Sequence, residues 1–293
     1  MTKELHTAAD RLIQMALRED VGKRDVTTDV SIPKEKKARG KIIFREKGVA
    51  AGLWIVPLIF KRLDRRVKIR VVAKEGKIAK KNQTVVVLEG SARSILTGER
   101  IALNFLAHLS GVATLTRRYV EIAKPFGAQI LATRKTTPGW RLLEKYALRM
   151  GGGQDHRMGL YDQVLVKENH LQLRSASDER KGLKEWVAKI KKKVPRGMKI
   201  EVEAQSFREF LQLLSSKTDI ILLDNLSVSE IRRAVLLRKG KRPLLGVSGG
   251  VTLENVRQIA KTGVERISVG RLTHSTPSVN ISMDFEEIHG GKI

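Results

Sequence analysis

Hydrophobic and polar positions follow two different periods in the N-terminal part of the chain. Leu5, Leu12, Ile13 and Leu17 recur at helical spacing between charged residues, which predicts an amphipathic helix. Three later runs favour extended structure: KIIFREK, VKIRVVAKEG and QTVVVLEG. This mixture of periods predicts an N-terminal α+β domain, which we place at residues 1–112.

A long helical pattern follows the third of these runs. It ends at Pro125 and Gly127, because proline and glycine both stop helices. Within it, Arg100, Asn104 and His108 lie four residues apart and share one face of an otherwise apolar helix. This polar stripe has two interpretations: it faces solvent, or it faces a site or a partner subunit.

Short apolar runs separated by helical segments make up the rest of the chain. The runs are AQILATRK, QVLVKENH, KIEVEAQ, DIILLDN, RPLLGVSGG and ERISVGR. Near-continuous apolar strands alternating with helices are typical of a parallel sheet covered on both faces. The pattern therefore predicts an α/β barrel or an open doubly wound sheet over residues 113–275, with a tail, 276–293, that packs back on the N-terminal domain.

These apolar runs become polar or glycine-rich where they end. Because the carboxyl ends of the strands in an α/β barrel meet at one mouth, we expect their last residues to share one cavity. Those residues are Arg134, Lys135, Lys167, His170, Glu203, Asp224, Ser248, Gly249, Gly250, Gly270 and Arg271.

Glycines after the two late strands suit a phosphate group. VSGG, with a helix expected to begin near Thr252, and SVG after the next strand would expose backbone N–H groups. A tight strand-to-helix turn is the alternative. Glu203 and Asp224, on neighbouring strands, suit Mg²⁺, which takes one or two carboxylates plus substrate phosphates; salt bridges to nearby lysines are the alternative. No HExxH motif or close Cys/His spacing favours zinc.

A group of cations lies near turn-forming residues in the middle of the chain. Arg134, His156, Arg157 and Lys167 would repel one another in an empty, dry pocket, so such a pocket suits a ligand with more than one negative group. These residues predict a cavity that accepts a small polyacid beside a Mg²⁺-bound phosphate.

Composition narrows the class of protein. The 293 residues are 41% hydrophobic and 30% charged. Their formal net charge of +26 favours polyanionic partners. The chain has no cysteine, so disulfides are excluded. The first residues lack the apolar core of a signal peptide, which makes the cytoplasm the expected location. The apolar segment 48–60 is shorter than the roughly 20 residues that span a bilayer. Because Pro57 also interrupts it, we expect a buried helix and no membrane partner.

Nine strings of residues are similar, in order and approximate spacing, to those of the quinolinate phosphoribosyltransferases, the decarboxylating nicotinate-nucleotide pyrophosphorylases. They are DVTTD, GERIALNFLAHLSGVATLTRRYV, TRKTTPG, LEKYALRMGGGQDHRMGLYD, KENH, EVE, LLDN, SGG and VGRLTHS. The resemblance covers almost the whole chain. It implies an N-terminal α/β domain, an incomplete parallel α/β barrel, and a homodimer or higher homo-oligomer whose subunits complete each other's active sites.

The resemblance also implies a reaction and a role for each matched residue. Quinolinate would react with phosphoribosyl pyrophosphate and Mg²⁺ to give nicotinate mononucleotide, pyrophosphate and CO₂ for NAD biosynthesis. The quinolinate carboxylates would be bound by Arg134, His156, Arg157 and Lys167, with Arg100 reaching into the partner's pocket. The ribose, pyrophosphate and Mg²⁺ would meet Lys135, Glu203 and Asp224, and the 5′-phosphate would meet Ser248, Gly249, Gly250 and Gly270.

Three positions depart from the family pattern. Gly246 stands where glutamate is usual, Arg24 precedes DVTTD in place of glycine, and Arg271 replaces a small residue. Two alternatives therefore stay open: a related phosphoribosyltransferase that acts on another aromatic acid, and a basic barrel protein that has lost activity and binds nucleic acid. The aromatic content of 4% offers few stacking platforms for single-stranded nucleic acid, so we expect no such partner.

Overall fold

The computed structural model describes residues 2–287, which divide into two compact units. The first unit takes in the described residues up to Arg117, then Thr136–Gly152, then those from Arg271 onward. The second consists of Arg118–Lys135 and Gly153–Gly270. Both units are discontinuous in sequence: the residues from Arg271 onward group with the first unit, as expected for the tail, and so do residues Thr136–Gly152.

The first unit combines helices with a small antiparallel sheet. Its elements are α1 (Lys3–Asp20), α2 (Val26–Ser31), β1 (Lys37–Phe44), β2 (Gly48–Val49), α3 (Ile55–Leu63), β3 (Lys68–Val71), β4 (Ile78–Ala79), β5 (Gln83–Ser91), most of α4 (Ala92–Ala123), α5 (Arg141–Met150), α11 (Arg271–His274) and β13 (Ile281–Glu287).

The second unit alternates strands with helices. After the end of α4 and a short 3₁₀ helix (Lys124–Phe126), its elements are β6 (Gln129–Ala132), β7 (Gln154–Asp155), β8 (Val164–Val166), α6 (Glu168–Gln172), α7 (Ala176–Lys193), β9 (Ile200–Ala204), α8 (Phe207–Leu214), β10 (Ile220–Asp224), α9 (Val228–Leu237), β11 (Leu244–Ser248), α10 (Val256–Ala260) and β12 (Arg266–Ser268).

Helix α1 confirms the amphipathic pattern at the start of the chain. Its first turn is capped by Thr2, whose hydroxyl accepts a hydrogen bond from the Leu5 N–H at 3.3 Å. Leu5, Leu12 and Ile13 are buried along one stripe, as the helical spacing predicts. The segment 48–60 also folds as expected, since α3 is buried. Among residues 2–287, no helix is long and apolar enough to cross a bilayer.

The antiparallel sheet of the first unit contains one strand that the sequence pattern did not reveal. Its order is β13-β1-β5-β3, so the three predicted extended runs are confirmed. The additional strand is β13, which pairs with β1 from Ala38 opposite Glu287 to Phe44 opposite Ile281. The last residues of the predicted tail, 288–293, lie outside the described residues.

The second unit is built on the predicted parallel sheet. Seven strands follow the order β7-β6-β12-β11-β10-β9-β8, and every pairing between them is parallel. All six predicted strands are present, and β9 is buried along its whole length. The sheet is not closed by a β7–β8 pairing, and it therefore forms the incomplete α/β barrel that the resemblance implies.

The helix after β11 begins later than predicted. Helix α10 starts at Val256 rather than near Thr252. Residues 251–255 form a turn in which the Asn255 side chain accepts a hydrogen bond from the Thr252 N–H at 2.8 Å. Asn255 also donates to the Gly250 carbonyl at 2.9 Å. Because this asparagine satisfies backbone groups on both sides of the turn, the helix starts four residues later.

Gly111 provides a stability test of the packing around α4. A Cβ atom at this position would lie 2.2 Å from the carbonyl oxygen of Pro277, which is backbone and cannot rotate away. Glycine-to-alanine changes usually stabilise a helix interior. We expect Gly111→Ala to destabilise this protein instead, by about 1–3 kcal/mol, as overpacking does. Glu121→Ala, at an exposed position of the same helix, is the control. Urea unfolding measures both, and a Gly111→Ala chain at least as stable as the parent would contradict the packing.

Candidate active site

The parallel sheet brings most of the predicted site residues to one edge of the second unit. Because all its strands point the same way, the residues at their carboxyl ends lie along the same rim. Arg134 and Lys135 follow β6, His156 and Arg157 follow β7, Lys167 follows β8, Asp224 ends β10, Ser248 ends β11 and Gly270 follows β12. The expectation that cations, carboxylates and glycines come from different strands of one sheet is confirmed at the level of topology.

Glu203 lies within β9 rather than after it. Its side chain is only 6% exposed, and the Lys167 ammonium lies 3.3 Å from its Oε2 atom. The salt-bridge alternative considered for this acid therefore describes the structure. The amide of Gln205 also approaches Glu203, at 3.5 Å. Lys167 is itself 51% exposed, so its charge remains accessible to a ligand at the rim.

Asp224 is joined to the glycine turn that follows β11. Its Oδ1 atom accepts a hydrogen bond from the Ser248 hydroxyl at 2.6 Å, and its Oδ2 atom accepts one from the Asn225 amide at 2.8 Å. The Asn225 backbone N–H donates to the Ser248 carbonyl at 3.0 Å. These bonds hold the ends of two neighbouring strands together, so the carboxylate and the turn form one unit.

The two glycines of this turn play different parts. Gly249 has φ +83°, and a Cβ there would lie 2.1 Å from the Asn225 side-chain oxygen, so close approach alone requires glycine. Gly250 has φ +55°, but nothing lies within 4 Å of a Cβ built on it. The tight-turn interpretation thus accounts for Gly249, whereas the backbone at Gly250 is open to an approaching group.

The carboxylates at the rim fit Mg²⁺ only in company with a substrate. In the part of the chain that the structure describes, no three metal-ligating side chains come together. Glu203 and Asp224 already accept hydrogen bonds from Lys167 and Ser248. Mg²⁺ commonly takes one or two carboxylates and completes its shell with water and substrate phosphates, and this donor set suits that pattern.

Arg157 is a buried cation beside another cation. It is 6% exposed, and one guanidinium nitrogen donates to the Gln163 carbonyl at 3.2 Å. Burial, followed by repulsion from Arg134, lowers the pKa of Arg157, while Glu201 and Asp162 act in the opposite direction. Arg134 and Arg157 are therefore near enough for each charge to disfavour the other, and an anion bound there would relieve this repulsion; their role in binding a polyacid stays a prediction.

Glu201 is a buried acid that sequence reasoning did not select. It is 1% exposed in β9, and its Oε2 atom lies 2.6 Å from His156 Nε2 and 2.6 Å from the Gln163 amide nitrogen. Burial alone would raise its pKa, but the hydrogen bond and charge of His156, together with Arg266, outweigh this effect and lower it. Glu201 is therefore ionised at neutral pH. The sequence did contain a signal for Glu201, because it lies two residues before Glu203 in the run KIEVEAQ and therefore shares a face of the strand with it.

Gly246, where glutamate is usual in the family, lies within its strand rather than at its end. It is the third residue of β11, in register with Leu222 and Arg266. A Cβ there would lie 3.0 Å from a methyl group of Leu222, 3.8 Å from the Arg266 Cβ and 3.8 Å from Glu201 Oε1. The missing side chain therefore belongs beside Glu201 and Arg266, inside the sheet.

One residue of the polar stripe on α4, His108, forms a contact with a buried acid of the first unit. His108 Nε2 lies 2.9 Å from Oε1 of Glu144, and the other Glu144 oxygen accepts from the Thr137 N–H at 3.1 Å. Glu144 is fully buried, and Trp140 packs edge-on against His108 with ring centroids 5.3 Å apart. This network fastens the TTPGW segment to α4. Arg100 is exposed on the same helix, and its proposed reach into a partner's pocket stays a prediction.

Comparisons with known proteins agree on one family. Residues 25–110 match the quinolinate phosphoribosyl transferase N-terminal domain, and residues 112–284 match the C-terminal domain of the same family. The chain belongs to the quinolinate phosphoribosyl transferase family. These two matches together take in all but the ends of the chain.

Similar proteins come from bacteria, an archaeon and plants. The chain is 37% identical to a probable nicotinate-nucleotide pyrophosphorylase [carboxylating] of Synechocystis over 94% of its length and 92% of that protein. It is 38% identical to the protein of the same name from Methanocaldococcus jannaschii, over 94% of this chain and 96% of that one. The solved nicotinate-nucleotide pyrophosphorylase of Francisella tularensis superposes with a TM-score of 0.88 at 35% identity, over 96% of each chain.

The cation pair provides a ligand-binding test. We expect benzene-1,2-dicarboxylate, which carries two adjacent carboxylates and no ring nitrogen, to stabilise the protein by about 2.7 kcal/mol at a hundred times its Kd. Arg134→Ala should abolish most of that gain, because one of the two neighbouring cations is lost. Lys193→Ala removes the same charge at an exposed position of α7 and should preserve the gain. Thermal unfolding with and without ligand measures it, and equal gains in both variants would show that the cation pair is not the binding site.

Proposed function

We propose that this protein transfers the phosphoribosyl group of phosphoribosyl pyrophosphate to quinolinate, with loss of CO₂ and pyrophosphate, to give nicotinate mononucleotide for NAD biosynthesis. The observation that carries the proposal is the division of the rim. Cations follow β6, β7 and β8, whereas the carboxylates and the glycine turn belong to β9, β10 and β11. The relatives' names, nicotinate-nucleotide pyrophosphorylase and quinolinate phosphoribosyltransferase, support it.

Quinolinate would occupy the cationic part of the rim. Arg134 and Arg157 are close enough to affect each other's charge, and such a pair suits two adjacent carboxylates. Lys167 would add a third cation from the far edge of the sheet. His156 has its Nε2 atom engaged with Glu201, so it would contact a substrate carboxylate through Nδ1.

Phosphoribosyl pyrophosphate would occupy the part of the rim that carries the carboxylates and the glycine turn. The open backbone at Gly250, together with Ser248, Gly249 and Gly270, would receive the 5′-phosphate. Lys135, which is exposed beyond β6, would meet the pyrophosphate, and Glu203 and Asp224 would face the ribose. Mg²⁺ would be held by these carboxylates and by pyrophosphate oxygens, and when bound it would neutralise charge on the leaving group.

The chemistry needs positioning and electrostatics rather than a protein nucleophile. The lone pair of the pyridine nitrogen forms a bond to the ribosyl C1 atom while the C1–O bond electrons leave with pyrophosphate. Glu203 and Asp224 would stabilise positive charge that develops on the ribosyl carbon, and Lys135 would stabilise negative charge on the leaving group. The ring then carries a positive charge and accepts the electron pair of the adjacent C–CO₂⁻ bond. CO₂ leaves, and the ring carbon takes up a proton.

A related acceptor is the second candidate. Gly246 stands beside Glu201 and Arg266, so this chain differs from the family pattern inside the sheet rather than at the rim. A change at that depth would alter the charge behind His156 and hence the fit of the acid. The protein would then use another pyridine or aromatic acid as the acceptor.

The reaction itself is the first test of this proposal. The purified chain, incubated with quinolinate, phosphoribosyl pyrophosphate and Mg²⁺, should release nicotinate mononucleotide and CO₂ in equal amounts. Chelation of the metal should stop product formation. Lys167→Met should raise the KM for quinolinate by about tenfold, as loss of one hydrogen bond to a charged group does, while Lys193→Met should leave it unchanged. Product formed only from a different aromatic acid would transfer the assignment to the second candidate.

Shared sites between subunits form a separate test. We propose that the protein is a homodimer, or a higher homo-oligomer, in which Arg100 of one subunit serves the pocket of another. Arg100→Ala and Arg134→Ala chains should each be inactive. A mixture of the two should recover up to about a quarter of full activity, because random pairing makes about half of the dimers mixed and each mixed dimer has one intact site of two. Mixed dimers verified by differential tags that stay inactive would place both arginines in the same pocket.

A further inference from the structure

The amino edge of the parallel sheet carries a different set of charges from its carboxyl rim. The loops before the neighbouring strands β9, β10 and β11 are residues 194–199, 215–219 and 238–243. Six exposed cations lie in these three loops: Arg196, Lys199, Lys217, Lys239, Lys241 and Arg242. The connections that precede β12 and β6, the next strands along the sheet, add exposed Lys261 and Lys124. We call these eight residues the amino-edge patch.

The acids at this edge are already paired. Asp219 accepts a hydrogen bond from the Lys191 ammonium at 2.8 Å, and Glu265 accepts one from the Arg238 guanidinium at 2.6 Å. The five loops that precede β9, β10, β11, β12 and β6 contain no other acid. The carboxyl rim, by contrast, mixes its cations with carboxylates. The amino-edge patch therefore presents positive charge that no unpaired acid of its own loops offsets.

Asp219 also ties the first three of these loops together. Its side chain accepts from the Ile200 N–H at 2.8 Å, and its backbone carbonyl accepts from the Leu244 N–H at 3.1 Å. Burial alone would raise the pKa of Asp219, but hydrogen bonds from Lys191 and Ile200, together with nearby positive charge, outweigh burial and lower it. Part of that charge belongs to Arg242, so the loop before β11 lies close to this acid. The cations therefore lie along one connected edge.

Helix dipoles explain only part of the positive charge at this edge. Lysine and arginine are favoured in the last turn of a helix, where they offset the partial negative charge of its carboxyl end. Lys191, Lys192 and Lys193 occupy that position in α7. The six cations of the first three loops instead lie beyond the last residues of α7, α8 and α9. Their accumulation therefore favours an anionic partner outside the protein.

The amino-edge patch is extended rather than confined to one pocket. Neighbouring strands lie about 4.8 Å apart, so the five loops follow one another over about 20 Å along the curved edge. A cavity of about 370 Å³ opens at the β9 end, lined by the end of α7, the loop before β9 and Asp219. Duplex DNA carries one negative charge per about 1.7 Å of its axis, so about a dozen phosphates occupy the length of the patch. An extended polyanion fits this surface better than a single small anion.

The side chains around these cations favour a duplex over a single strand or a membrane. Phe126 is the one aromatic residue in the five loops, and it is half-buried. Single-stranded nucleic acids and RNA loops are held largely by stacking of their bases on aromatic rings. Binding at a membrane surface needs apolar side chains that insert among the lipids, and no large hydrophobic side chain is exposed in the five loops. The backbone of a DNA duplex requires cations alone.

We propose that the amino-edge patch binds the phosphate backbone of double-stranded DNA without sequence preference. Phosphate oxygens would bind the exposed lysines and arginines, and the release of counterions from the DNA would favour the complex. This binding is independent of the proposed function, because the patch and the carboxyl rim lie at opposite ends of the same strands.

Fluorescence anisotropy with a labelled DNA duplex of mixed sequence measures the affinity. If four patch cations meet phosphates, binding should weaken about a hundredfold between about 50 and 200 mM salt. A triple variant, Arg196→Gln, Lys217→Gln and Lys241→Gln, removes one cation from each of the first three loops. It should weaken binding at low salt by about tenfold or more and make the salt dependence shallower. The charge-preserving triple, Arg196→Lys, Lys217→Arg and Lys241→Arg, should bind like the parent, because a phosphate backbone is recognised through charge.

Two control variants separate the patch from other basic surfaces. Arg180→Gln, Lys184→Gln and Arg208→Gln together remove the same charge from exposed positions in the first half of α7 and the first turn of α8, and this chain should bind like the parent. Arg134→Ala, at the carboxyl rim, should also bind like the parent. All these chains should unfold at the temperature of the parent, which shows that a loss of binding is not a loss of fold.

Several outcomes would overturn the proposal. They are no DNA binding at low salt, an equal loss in the control triple, and tighter binding of single-stranded DNA or of an RNA duplex. A loss of binding in Arg134→Ala would place the DNA at the carboxyl rim instead. Leu236 and Leu237 are exposed at the end of α9, so vesicles that contain phosphatidylserine form a last comparison. Capture of the protein by these vesicles but not by DNA would assign the patch to a membrane surface.

Discussion

The bond between Glu201 and His156 links parts of the sheet that are far apart in its hydrogen-bonding order. His156 follows β7 at one edge, and Glu201 lies on β9, the sixth of the seven strands counted from that edge. A bond of 2.6 Å between them is compatible only with a sheet that curls round on itself. The loop that carries Arg157 then crosses the open side, where it bonds to Gln163 ahead of β8. Without this curl, cations from β7 and β8 would lie at opposite ends of a flat sheet.

The same geometry makes the site costly before a ligand arrives. Arg157 is buried beside Arg134, and its pKa is lowered by that environment. A cation that is already buried and held in place needs little rearrangement when an anion binds to it. The acids partly offset the strain, since Glu203 pairs with Lys167 and Asp224 binds Ser248. A substrate with two carboxylates and several phosphate oxygens would therefore give these cations negatively charged partners that the protein itself supplies only in part.

Sequence reasoning found most of the elements and the rim but not the buried acids Glu201 and Glu144. Apolar runs with helical spacers predicted all six longer strands of the parallel sheet, since both faces of each strand must be buried. Glu201 was missed because its partner, His156, lies 45 residues earlier in the chain, so the local pattern of β9 does not show that a buried acid there is paired. Glu144 was missed for a similar reason, since the amphipathic pattern of α5 does not show that an acid there has a partner on α4. Strand β13 was missed because alternation in ISMDFEE is broken by two adjacent acids at its end.

The excess of basic residues acts on the site from outside it. Among the rim and the buried pair Glu201 and Arg266, five permanent cations face three carboxylates, so these residues carry only about two net positive charges at neutral pH if histidine is neutral. The cations are Arg134, Lys135, Arg157, Lys167 and Arg266, and the carboxylates are Glu201, Glu203 and Asp224. Nearly all of the +26 net charge therefore lies elsewhere on the chain. At physiological ionic strength, charges more than about 8 Å away are largely screened, so they add little to the affinity of a bound anion. They do raise the local concentration of anions around the protein and hence the rate of encounter. For two polyanionic substrates, the local pairs set the binding and the overall charge sets how often the substrates arrive.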